Sequence, residues 1–169
     1  MPHDPQLAAT RSDFIEQTGL ITQAEGLPRI AGRVFGMLIF DGEAVAFGDL
    51  ATRLQVSRAS ISTSVRLLEE RGLVRRLTRP GERQDYFELA PNPYATLLDG
   101  LSRRTRATRD QIGATIRALP PQADAAGRLA AYAEFYAALD GAVSTALDSL
   151  KSDNAGTTTR TPLPKGPAE

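Results

Sequence analysis

The sequence has no cysteine, no tryptophan and a single histidine, His3, among its 169 residues. Without thiols, neither a disulfide nor a thiolate metal site can form. With one histidine beside the start of the chain, a histidine-ligated metal centre, a Ser-His triad and a Cys-His dyad all lack their central groups. No phosphate-binding glycine loop or paired-carboxylate signature takes their place, so no enzymatic activity, metal or organic cofactor is expected. Long apolar runs are also missing. The most apolar stretch, Ile30 to Phe40, is interrupted by Arg33 and falls short of the roughly 20 residues of a membrane span. No membrane partner is expected, and the absence of a charged segment leading into an apolar one at the start predicts a cytoplasmic protein.

A surplus of charge of either sign is absent too, the formal net charge being zero. That argues against an indiscriminate nucleic-acid binder, but the average conceals a partition. Residues 51–119 carry 13 arginines against seven acids, a net of +6, whereas residues 1–50 carry −4 and residues 120–169 carry −2. Local field rather than net charge steers association with DNA. Eighteen of the 20 basic residues are arginine, the side chain suited to planar, bidentate contacts. A coding bias toward arginine would produce the same excess.

The basic block holds the most informative pattern in the chain. Phe47, Leu50, Ala51 and Leu54 follow the three-and-four spacing of one helical face. Gln55-Val56 leaves room only for a turn. Ser57 is then a good N-cap for a helix running from Arg58 to Arg71 and closed by Gly72. Ile61, Val65 and Leu68 lie on one side of that helix. Arg58, Ala59, Ser60, Ser62, Thr63 and Arg66 lie on the other, a face too polar to bury. Two short β-prone runs, Leu73–Leu77 and Asp85–Leu89, follow, joined through a Pro80-Gly81 turn that Arg79 and Arg83 flank. A helix-turn-helix followed by a basic hairpin fits double-stranded DNA, with one helix in the major groove and the hairpin at the minor groove or backbone.

This segment resembles the winged helix-turn-helix of MarR-type bacterial transcription regulators. Gly26 to Gly36, Val56 to Thr63 and Pro80 to Tyr86 make it most similar to the GbsR-type branch. The resemblance covers roughly residues 10 to 150. The wing tip is shorter than the commonest MarR pattern. The resemblance implies that Arg83 meets the minor groove and that Asp85 braces it, with Arg79 as a second wing contact. Without a base, the hydroxyls of Ser57, Ser60, Ser62 and Thr63 suit phosphate and base contacts better than nucleophilic chemistry. Ser57 is also accounted for as a cap alone, and Arg66 as the partner of Glu69 or Glu70.

The flanks read as helices. Leu7 to Glu25 places Leu7, Phe14, Ile15, Thr18 and Ile21 near one face. Pro28 opens a helix to Phe40, in which Gly32 and Gly36 are either a close helix–helix contact or chance. Asn92-Pro93 starts a long helix to Leu119, with a solvated basic stretch from Arg103 to Arg109. A last helix from Asp124 to Leu150 carries an apolar stripe that includes Tyr132, Phe135 and Tyr136. The expected organisation is an N-terminal helix in residues 1–25, a winged helix-turn-helix in 26–90, a helical dimerisation region in 91–151 and a disordered tail in 152–169. The fold class is mainly α with a small β-wing. A helical hairpin this long cannot bury both sides on so small a domain, which predicts a homodimer whose two reading helices sit about one DNA turn (~34 Å) apart on a palindrome. Phe14, Tyr94, Tyr132, Phe135 and Tyr136 either line a pocket for a small-molecule effector or form plain core or interface. GbsR-type relatives are associated with choline-like compounds, which aromatic faces suit. The expected function is a transcription regulator acting as a repressor. A protein-interaction module and an architectural DNA binder without effector control are the alternatives.

Overall fold

The computed structural model describes residues 4–120 and 123–156. The chain divides into two compact units, one up to Thr96 and one from Leu97. Order along the chain is α1 (Pro5–Ala24), α2 (Arg29–Asp41), β1 (Val45–Ala46), α3 (Phe47–Leu54), α4 (Arg58–Glu70), β2 (Val74–Thr78), β3 (Asp85–Leu89), α5 (Pro93–Ala118) and α6 (Ala125–Gly156). The architecture is mainly helical with one small antiparallel sheet, as expected.

α1 starts two residues earlier than the apolar pattern suggests, because Asp4 is an N-cap. Its carboxylate accepts from the amides of Gln6 and Leu7, and Pro5 needs no amide partner at the first helical position. The buried face of α1 differs from the predicted one. Ile15, Gly19 and Thr22 are buried, while Leu7, Phe14 and Ile21 are exposed, as is Leu20. The cause lies in the small residues. A Cβ on Gly32 would stand 1.8 Å from Thr22 Oγ1 and 2.9 Å from Gly19 Cα, and one on Gly36 would stand 2.8 Å from Thr18 Cβ. Gly32 and Gly36 therefore mark a close approach of α1 and α2. The threonine hydroxyls tolerate burial there by donating to Phe14 O and Thr18 O, both at 2.8 Å. Gly32→Ala should cost about 1–3 kcal/mol through overpacking; an unchanged thermal midpoint would contradict this contact.

Ion pairs finish the seam. Arg11 donates twice to Asp41, Nε to Oδ1 and Nη2 to Oδ2, both at 2.6 Å, and Glu16 holds Arg33 at 2.6 Å and Arg29 at 2.9 Å. Pro28 is the N-cap of α2 rather than its first helical residue.

The winged unit has three strands where two were expected. The short β1 pairs with β3, giving the order β1-β3-β2 with Val45 opposite Phe87 and Arg76 opposite Phe87 on the other side. Two residues are too few to leave an alternation in the sequence. The core gathers Met37, Leu38, Leu50, Ile61, Leu68 and Phe87, all essentially inaccessible to solvent.

In the second unit Ile112 of α5 and Val143 and Leu147 of α6 are buried, and a polar latch joins the two helices. The buried Ser102 hydroxyl donates to Asp140 Oδ1 at 2.6 Å, and Arg106 Nε donates to Oδ2 at 2.9 Å. The Ser102 hydroxyl, then Arg106, hold the Asp140 carboxyl below its ordinary value of 3.8. A carboxyl lowered on folding contributes stability that is present above the unfolded value and lost as pH falls through the folded one. Asp140→Asn should therefore flatten the loss of hairpin stability below about pH 4 while leaving its slope near neutrality unchanged, as read by circular dichroism across pH. α6 extends through Gly156, so the first residues of the expected tail are helical; residues 157–169 lie outside the described residues.

Candidate nucleic-acid interface

Residues Phe47 to Leu89 form the helix-turn-helix and wing. Gln55 turns the chain with a positive φ of 54°, and the amide of Val56 returns to Ala51 O at 3.1 Å. Ser57 caps α4 by accepting from the amide of Ser60 at 3.1 Å, and the two hydroxyls lie 2.8 Å apart. Ile61, Val65 and Leu68 seal one side of α4 into the core, joined by Ser64. Arg58, Ala59, Ser62, Thr63 and Arg66 are exposed on the other side and Ser60 is half-buried. The split matches the expected one.

The neighbours of these side chains add detail. Thr63 Oγ1 donates back to Ala59 O at 3.2 Å, which leaves its lone pairs outward. Arg66 lies 3.9 Å from Glu70, with both side chains largely exposed, a pairing worth little in water. Glu69 is engaged elsewhere, accepting from Arg76 at 3.0 Å. The guanidinium carbon of Arg58 lies over the Phe47 ring, 5.1 Å from its centroid.

At the wing tip Gly81 takes the left-handed φ of 82° that the turn needs. Arg79 lies over the Tyr86 ring with its guanidinium carbon 3.9 Å from the centroid. Arg83 is exposed and, among the described residues, has no ion-pair partner. The expected brace is corrected here. Asp85 takes Arg76 Nη1 at 3.3 Å rather than Arg83, because Arg76 already stands on the neighbouring strand with its guanidinium over Phe87 and against Glu69. Arg76 thus ties the base of the wing to α4 through Glu69, a role for Arg76 that the sequence pattern does not show.

The basic stretch of α5 is solvated as expected, with Arg103, Arg104 and Arg106 exposed, and most of its arginines have acidic partners. Arg103 pairs with Asp99, Arg106 with Asp140 and Arg109 with Asp110. A feature that periodicity did not show lies beside α4. Pro28, which caps α2, and Arg29 and Ile30 of α2 line an open groove of about 520 Å³ together with Ala59, Ser60 and Thr63. The aromatic residues fall into both units. Phe14 packs on Phe40 with ring centroids 5.8 Å apart, and Tyr94 is exposed. Tyr136 receives Tyr132 and Phe135 edge-on at 5.1 and 5.3 Å, and the latter two are about half exposed.

Residues 25–84 match the sequence model of the MarR family. The HTH-type transcriptional regulator MmpR5 of Mycobacterium tuberculosis (strain ATCC 25618 / H37Rv) is 37% identical over 142 residues, which cover 80% of this chain and 83% of that protein. The chain belongs to the MarR family. A crystal structure described as that of a transcriptional regulator is similar at a TM-score of 0.68 with 33% identity, over 85% of this chain and 99% of the other. MarR-family proteins are non-enzymatic, DNA-binding transcription regulators, and the family match spans α2 to the wing tip. Among the described residues, no helix is long and apolar enough to cross a membrane.

Proposed function

We propose that this MarR-family regulator is a homodimeric repressor that reads a palindromic operator, with α4 in the major groove and the wing against the minor groove. The observation that carries the reading is the two-sidedness of α4. Its apolar side is sealed by Ile61, Val65 and Leu68, and its outer side offers Arg58, Ala59, Ser62, Thr63 and Arg66 with Ser57 and Ser60 at its start. Arginine and hydroxyl side chains on an exposed helix suit guanine edges and phosphates. Arg79 and Arg83 extend the same chemistry to the wing.

Dimerisation is supported by apolar side chains that the single chain leaves in water. Leu7, Leu20 and Ile21 of α1 and Tyr132 and Phe135 of α6 are each 44–58% exposed. A second copy is the economical cover for them. Occupying the promoter represses it, and a small molecule bound at the ring cluster of Tyr132, Phe135 and Tyr136 would release it by changing the spacing of the two reading helices. The sequence of the Gly26–Gly36 segment and of the wing supports a place in the GbsR-type branch, and the edge-to-face ring cluster suits a quaternary ammonium effector of that kind.

A mobility-shift titration on the DNA upstream of the protein's own gene tests the reading. Arg83→Ala should weaken binding about ten-fold, the scale of one good arginine contact. Equal affinity of variant and wild type would remove the wing from the interface.

A further inference from the structure

The two arginines at opposite ends of the reading surface share an arrangement. Arg58, first residue of α4, lies over the ring of Phe47, and Arg79, at the wing tip, lies over the ring of Tyr86. Neither ring is loose. Phe47 directly follows β1 and packs on Phe87 with centroids 6.3 Å apart, and Phe87 is in the core. Tyr86 stands opposite Ala46 and Leu77 in the sheet, its hydroxyl donating to Glu82 and accepting from Gln84 at 3.2 Å. Tyr86 and Phe87 are consecutive on β3 and so point to opposite faces of the sheet. One strand therefore supports both arginines, one directly and one through Phe47.

A guanidinium held over a ring has five N–H donors, and the ring, which offers no lone-pair acceptor, leaves them available for an acceptor beyond it. An arginine on a mobile stem must give up rotamer freedom to make the same contact. We infer that Phe47 and Tyr86 are positioning residues for DNA recognition, holding Arg58 and Arg79 with their donor edges ready for acceptors on the DNA. This rests on the proposed DNA contacts of those arginines. It adds two residues that need not touch DNA themselves, and makes β3 the element that sets how far apart the two donors stand.

The test is a pair of double-mutant cycles read as affinity for a fluorescent duplex from the region upstream of the protein's own gene. Phe47→Leu and Tyr86→Leu remove the rings; Phe47→Tyr and Tyr86→Phe keep them. Each ring-removing variant should weaken binding about two- to five-fold, the scale of an exposed cation–ring contact. The ring-keeping variants should bind as wild type. In an Arg58→Ala background Phe47→Leu should have no further effect, and likewise Tyr86→Leu in an Arg79→Ala background. A ring with a merely structural role would add its full loss in those backgrounds, and that additivity overturns the inference. Unchanged affinity in both Phe47→Leu and Tyr86→Leu overturns it as well. If Arg58→Ala and Arg79→Ala themselves leave affinity unchanged, the proposed contacts fail first, which separates the two outcomes. Thermal melts identify the folded fraction, so that affinity is compared per folded molecule.

Discussion

Phe87→Ala should lower the stability of the winged unit by about 3–5 kcal/mol. The ring is 1% exposed and sits at the centre strand of the sheet, opposite Val45 on one side and Arg76 on the other. Phe47 packs against it and the Arg76 guanidinium covers it. Removing it leaves a cavity that β1, only two residues long, cannot collapse to fill. Against a typical total of about 5–15 kcal/mol this is a large fraction. Urea unfolding followed by circular dichroism should show a lower midpoint with little change of slope. A shift worth less than about 1 kcal/mol would mean that the sheet is held mainly by its hydrogen bonds.

Replacing Arg58, Arg66 and Arg83 together by alanine should lower affinity for the operator by about a thousand-fold or more, because each specific arginine contact is worth about 1–3 kcal/mol. All three side chains are exposed, so the fold should lose little. Part of the loss is electrostatic and has its own signature. Where an arginine neutralises one phosphate, its loss should reduce the slope of log affinity against log salt by about 0.9. A triple variant that binds as tightly as wild type, with the same slope, would mean that the basic outer face of α4 serves some other partner.

The reading unit was legible in the sequence because its signals are local. Phe47 to Leu54 and Arg58 to Glu70 repeat apolar residues at helical spacing, Ser57 is a cap and Gly81 a turn residue, and the structure places these elements within a residue or two of the expected bounds. What was hidden depends on contacts between distant segments. The buried face of α1 is set by Gly19, Gly32 and Gly36, whose lack of side chains draws two helices together and turns the apolar Leu7 and Ile21 outward. β1 is too short to alternate. The family resemblance pairs Asp85 with Arg83, and only the register of β2 on β3, with Thr78 opposite Asp85, brings Arg76 within reach instead. Arg106 is exposed as expected, and only the packing of α6 shows that Asp140 is its partner. The platform roles of Phe47 and Tyr86 were invisible for the same reason, since each ring meets an arginine from another element.

A hydroxyl-radical footprint of the protein on the DNA upstream of its own gene is the most direct test of a two-fold DNA reader. The account predicts two protected patches related by two-fold symmetry, centred about one helical turn (~34 Å) apart and lost together in the Arg58/Arg66/Arg83 alanine variant. Protection of a single half-site, or uniform protection indifferent to sequence, would contradict it.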